Sequence, residues 1–209
     1  MRNRRAFLRS SVIAALIIVG GNLSIAGAMS AAPPAGISLA FFSGGLGANA
    51  HWSTVDPVGG TPTDVSRVIV FNNPLTTGST YSGATVNGVS GLSMSDVTQL
   101  SFMIDTGAYM GAGAPRFSVI LSDGVTLFPS AGDCPLSANT GWQTASFVGP
   151  ESCTIYGSES PGTTSGSAMW SEWSSFLGDP TIVSMFIVQD EGPAQAYLAN
   201  VSVNNHIAA

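Results

Sequence analysis

Between Leu100 and Leu121 the chain reads LSFMIDTGAYMGAGAPRFSVIL, two runs of alternating apolar residues around a glycine-rich stretch. Leu100, Phe102 and Ile104 share one parity, and Phe117, Val119 and Leu121 share another on the return. Strands turn successive side chains to opposite faces, so this alternation marks a sheet with one buried face. An antiparallel hairpin that pairs Asp105 with Arg116 puts all six apolar residues on that face. It also makes Asp105 and Arg116 a stabilising cross-strand ion pair. A slip by one residue would turn one apolar set toward water, which specifies the register. The expectation is a central hairpin with Asp105 and Arg116 as scaffold.

The rest of the chain follows the same grammar. Short strands are expected at Ile37 to Phe42, Arg67 to Phe71 and Tyr81 to Val86, with His51-Trp52 in a loop between the first two. Asn87-Gly88 and Asp123-Gly124 are tight-turn signals, and the second joins Leu121 to a strand at Val125 to Phe128. Leu92 to Val97 reads as a single helical turn. Gly141 to Val148 and Ser152 to Tyr156 read as a strand pair. Met169, Trp170, Trp173, Phe176 and Leu177 form a helical stripe, capped by Ser165 or Ser167 and stopped by Gly178 and Pro180. Thr181 to Val188 reads as a strand buried on both faces, and Tyr197 to Val203 as an alternating closing strand. Short strands at close spacing with turns between them imply an all-β antiparallel sandwich with one short amphipathic helix.

The first 28 residues stand apart from this domain. Met1 to Arg9 is basic, Val12 to Val19 is apolar, and Ala26-Gly27-Ala28 is a small-residue cleavage site, the order of an export signal. Asn3-Arg4-Arg5-Ala6-Phe7-Leu8-Arg9 resembles the twin-arginine export signal through Arg4, Arg5, Phe7 and Leu8, although Asn3 stands where Ser or Thr is usual. That resemblance implies passage through the Tat translocase as a folded protein, in a bacterium or archaeon. The expected division is 1–28 as export signal, 29–36 as a short linker and 37–205 as one sandwich domain. The destination is secreted or periplasmic, without stable membrane insertion after cleavage.

Loss of the signal would remove four of six arginines, and the chain has no lysine. Two arginines against twelve carboxylates leave a charge of −10. Such a surface repels phosphate backbones and anionic headgroups, so nucleic acid is excluded as a partner. Cys134 and Cys153 are the only cysteines and are expected to form a disulfide in an exported chain.

Gly113 to Val119, Gly141-Trp142, the helix, Ile182 to Asp190 and Tyr197 to Val203 together resemble a group of secreted bacterial and fungal proteins. Their ends are similar to jelly-roll carbohydrate-binding modules. The resemblance implies a jelly-roll sandwich and a neutral carbohydrate as partner. The closing strand departs from the Asp-Asn-Val common in such modules, with Ala199 in the Asp position. That departure counts against a calcium site at this strand, and no cofactor or metal is expected.

Aromatic rings match the C–H face of a sugar, so Trp52, Tyr109, Trp142 and Tyr156 are the candidate ligand-binding residues, with Tyr81 also available. Trp170 and Trp173 lie on the helical stripe and are expected in the core. Catalysis would need carboxylates, with Asp105, Asp123, Asp190, Glu191 and Glu172 as the possible suppliers of a pair. With only His51 and His206, and no Gly-x-Ser-x-Gly elbow, a nucleophilic triad has little support. The sequence favours a non-catalytic binding module over a structural or adhesive surface protein, and over a small glycan-active enzyme.

Overall fold

A computed structural model describes residues 36–54, 59–62, 65–74, 80–108, 113–138, 141–149, 151–159, 166–191 and 194–208. The export segment with Arg4, Arg5, Phe7 and Leu8, almost all of the linker, and Tyr109 lie outside them. The strands are β1 (Ser38–Gly44), β2 (Asn49–Ser53), β3 (Val68–Asn73), β4 (Tyr81–Asn87), β5 (Leu100–Asp105), β6 (Arg116–Leu121) and β7 (Thr126–Phe128). They continue with β8 (Trp142–Ser146), β9 (Ile155–Gly157), β10 (Ser167–Ala168), β11 (Ile182–Gln189), β12 (Ala194–Val203) and β13 (His206–Ile207); α1 (Trp170–Leu177) follows β10.

All pairings are antiparallel and build two sheets. The seven-stranded sheet runs β1-β4-β11-β6-β7-β9-β10, and the second runs β2-β3-β12-β5-β8 with β13 on β12. At the centre, β4-β11-β6-β7 covers β3-β12-β5-β8, with β3→β4 and β5→β6 both crossing between sheets. That order is the jelly roll.

The central hairpin is therefore corrected. β5 pairs with β12 and β8, whereas β6 pairs with β11 and β7. The two strands thus lie in different sheets, which pack about 10 Å apart, instead of pairing within one. The six alternating residues are all buried, but they meet face to face across the sandwich. Phe102, Phe117 and Phe147 close the middle with ring centroids 5.3, 5.5 and 5.7 Å apart. The pair expected from Gly141 to Tyr156 is split in the same way, β8 joining β5 and β9 joining β7. The β6–β7 hairpin at Asp123-Gly124 forms as expected, with Asp123 Oδ1 accepting from Val125 N at 3.0 Å.

Two bulges tune which side chains face inward. In β11 the pairing shifts between Ile182 and Ser184, so Val183 is exposed while Ile182 and Met185 are buried. In β12 it shifts between Ala199 and Ser202, around Asn200 at φ 46°. An extra residue reverses strand parity, so Leu198 points inward before the bulge and Val201 and Val203 after it.

Trp170 and Trp173 are buried, as the helical stripe predicts, and both indoles are satisfied. Their Nε1 groups donate to Met94 O and Ile155 O, each at 2.9 Å. Trp173 lies against Gly157, where a Cβ would overlap the ring. The helix start is capped by Glu172, whose Oε2 accepts from Met169 N at 2.8 Å, rather than by a serine. Ser167 belongs to β10 instead, and Ser165 lies outside the described residues. Cys134 and Cys153 form the disulfide, with Cα atoms 4.8 Å apart. It ties the connection leaving β7 to the one entering β9, and closing a loop of this length contributes about 3 kcal/mol.

Candidate functional site

The described aromatic candidates, Trp52, Trp142 and Tyr156, do not share a surface. Trp52 lies in β2, paired with the buried Ile69, and faces inward at the sandwich edge. Its ring meets Phe41 edge-on at 5.7 Å and carries the Arg67 guanidinium 4.5 Å above its centroid. With both neighbours in place it is a wall residue, not a loop platform. Trp142 pairs with Asp105 and shares with it the outer face of the second sheet. Tyr156 stands on the outer face of the seven-stranded sheet, on the other side of the molecule, and is 45% exposed.

Tyr156 has company there. On β1, Leu39 and Phe41 pack against the core, so Ala40 and Phe42 face outward. Phe42 is paired with Gly83 and Tyr81 with Gly44. A Cβ on Gly83 would overlap the Phe42 ring, and one on Gly44 would overlap the Tyr81 ring. Each ring thus reaches over a glycine in the neighbouring strand and occupies the space a side chain there would fill. Phe186 meets Phe42 edge-on at 6.3 Å, and Tyr81 lies 6.1 Å from Phe42. Across the sheet Phe128 and Tyr156 stack at 6.2 Å with planes 28° apart. From β1 to β9 the strip crosses six strands, a span on the order of 24 Å at normal strand spacing.

Between the two aromatic groups sits Arg116. Its Nη1 and Nη2 bind Asp190 at 2.6 and 2.5 Å, and Nη1 also donates to Gly113 O at 2.6 Å. The guanidinium lies 5.7 Å from the Phe128 centroid. This corrects the expected Asp105–Arg116 pair: the two residues belong to opposite sheets, and the carboxylate that reaches Arg116 comes from the end of the adjacent β11. Asp105 is buried and accepts from Gly107 N at 3.1 Å, opening the 106–115 connection. Among the described strand positions facing outward from the seven-stranded sheet, Arg116 is the only charged side chain, and Asp190 neutralises it. Thr85 is the register partner of Phe186, and Ser184 and Thr126 flank Ile120 in the next row of the same face.

Three other carboxylates have local duties. Glu172 caps the helix and Asp123 holds a turn. Asp179, at φ 61°, accepts from Ser95 N and Ser95 Oγ at 2.7 Å and from Ser174 Oγ at 3.1 Å. Burial pushes its carboxyl up, but these bonds and one from Ser93 outweigh that and hold it below its ordinary value. Nearby, Met94, Trp170 and a row of serines from α1 line an open groove of about 580 Å³ without an exposed ring. Among the described residues no group of three His, Cys, Asp or Glu is placed to hold a metal ion.

Sequence reading missed Phe42, Phe128 and Phe186. The signal was present in Phe41-Phe42 and Met185-Phe186, since of two adjacent apolar residues in a strand one must face outward. Gly44 and Gly83 inside strands were the second sign. Comparison of the chain with family models, characterised proteins and solved structures returned no match.

Proposed function

We propose that the protein is an exported, non-catalytic module that binds neutral carbohydrate on the outer face of its seven-stranded sheet. The observation that carries this reading is the pair of rings, Phe42 and Tyr81, seated over Gly83 and Gly44 on the outer face with their planes 57° apart. Aromatic rings offer apolar faces to sugar C–H groups, and the stacked Phe128 and Tyr156 extend the strip. Hydroxyls from Thr85, Ser184 and Thr126 supply the polar partners that a sugar needs and a purely apolar contact does not. A face whose one charge is neutralised, on an acidic protein, favours an uncharged ligand over uronates or phosphates. The disulfide supports an oxidising destination, and no helix among the described residues is long and apolar enough to cross a membrane. The twin-arginine motif at Arg4 and Arg5 is the route we propose to that destination.

A second reading, a structural or adhesive surface protein, draws on the inward turn of Trp52 and the separation of Trp142 from Tyr156. A glycan-array screen of the exported protein separates the two. Binding to one or more neutral glycans, abolished by Phe42→Ala with Tyr156→Ala and retained in Trp52→Ala, is the expected result. No binding to any neutral glycan leaves the adhesive reading in its place.

A further inference from the structure

Three inward-facing polar side chains stand at neighbouring strand ends, on β3, β4 and β11. Ser82 and Gln189 are register partners on β4 and β11, and Asn73 is the last inward residue of β3. β3 approaches both β4 and β11 across the sandwich. All three residues are at most 1% exposed, and Asn73 Oδ1, Ser82 Oγ and Gln189 Oε1 have no hydrogen-bond partner among the described residues. Gln189 Nε2 donates to Glu191 O at 2.5 Å, which orients the amide and directs Oε1 the other way.

Buried polar groups are rarely left unpaired, because their lost hydration has to be replaced. Two amide oxygens and one hydroxyl match the valence of a single water: it donates to each oxygen and accepts from the hydroxyl. Internal waters of folded proteins make about three such bonds. A hard cation suits the site less well, since it prefers six or more oxygens and carboxylate charge, and none of the three groups is ionised. We propose that Asn73, Ser82 and Gln189 hold one internal water that bridges the two sheets. The same water supports the Gln189 amide that grips Glu191 O, and so positions the turn from which Asp190 reaches Arg116.

Oxygen-17 magnetic relaxation dispersion of the exported protein counts waters that exchange slowly with bulk. The expected result is a slow component in the wild type that falls by one water in Gln189→Met, with circular dichroism showing the variant folded. A wild type with no slow water, or a folded Gln189→Met with an unchanged count, overturns the proposal. A high-resolution crystal structure of the wild type decides independently of whether the variant folds. Density for one water within hydrogen-bonding reach of all three groups supports it. Direct bonds among the three side chains, or a cation in their midst, refute it.

Discussion

Replacing Asn204 separates two contributions that meet in one residue. Asn204 and Asn205 have φ of 51° and 65° and form the two-residue turn between Val203 and His206. Positive φ at both central positions is the type I′ hairpin pattern, which Asn and Gly tolerate and Ala does not. The Asn204 side chain also stitches this turn to the segment before β5. Its Oδ1 accepts from Thr98 N at 2.7 Å, Thr98 Oγ1 at 3.2 Å and Gln99 N at 3.3 Å, and its Nδ2 donates to Asp96 O at 2.8 Å. Asn204→Gly keeps the backbone conformation and removes the side-chain bonds. Counting only the two short ones at their usual net value, it costs about 2 kcal/mol. Asn204→Ala loses the same bonds and adds about 1 kcal/mol for the left-handed backbone, so about 3 kcal/mol in total. For a domain of this size the melting temperature should fall by on the order of 4–8 °C and 6–12 °C respectively. Urea unfolding with the disulfide intact measures both differences, and an unchanged m-value shows that the change lies in stability. Equal destabilisation by Gly and Ala would refute the backbone contribution. Neutrality of both would refute the network.

Two further outcomes follow from the charged groups. Arg116→Met leaves Asp190 without its bidentate partner on a half-buried pair and should cost about 1–2 kcal/mol after solvent screening. The deficit should narrow in high salt, and an unchanged urea midpoint would contradict the structural role given to the pair. Asp179 has its folded pKa below its unfolded one, so it contributes stability above the unfolded value that is lost as pH falls through the folded value. Asp179→Asn tolerates the same positive φ, so the variant's pH–stability curve should lack this acid-side decline. Parallel curves for the two proteins across the carboxylate range would count against the serine network.

The parts of the fold legible from sequence were those set by local parity and turn chemistry. Alternation at Leu100 to Ile104 and Phe117 to Leu121 named the core residues correctly, because burial of one face is what the period reports. It could not name neighbours: a hairpin and a crossing between sheets bury the same positions, so Arg116 was assigned to Asp105 rather than Asp190. β2 was hidden because His51-Trp52 sits in a short edge strand among turn-forming residues. The bulge at Asn200 left no glycine to mark it. For the candidate site, Tyr156 was found as an isolated aromatic. Phe186 falls in a run that reads as buried on both faces, and Phe42 only ends an expected strand: adjacent apolar pairs show that one residue faces outward but not which. Only the strand order puts Phe42, Phe186, Phe128 and Tyr156 on one surface.

Chemical-shift mapping decides whether this surface is the binding face. Backbone amide shifts are followed while the neutral glycan that scores highest on the array is titrated into the labelled protein. The account predicts perturbations that cluster at Phe42, Tyr81, Gly83, Phe128, Tyr156 and Phe186, with Trp142 and His51 unmoved. Perturbations confined to the opposite sheet around Trp142, or none at saturating glycan, would contradict it.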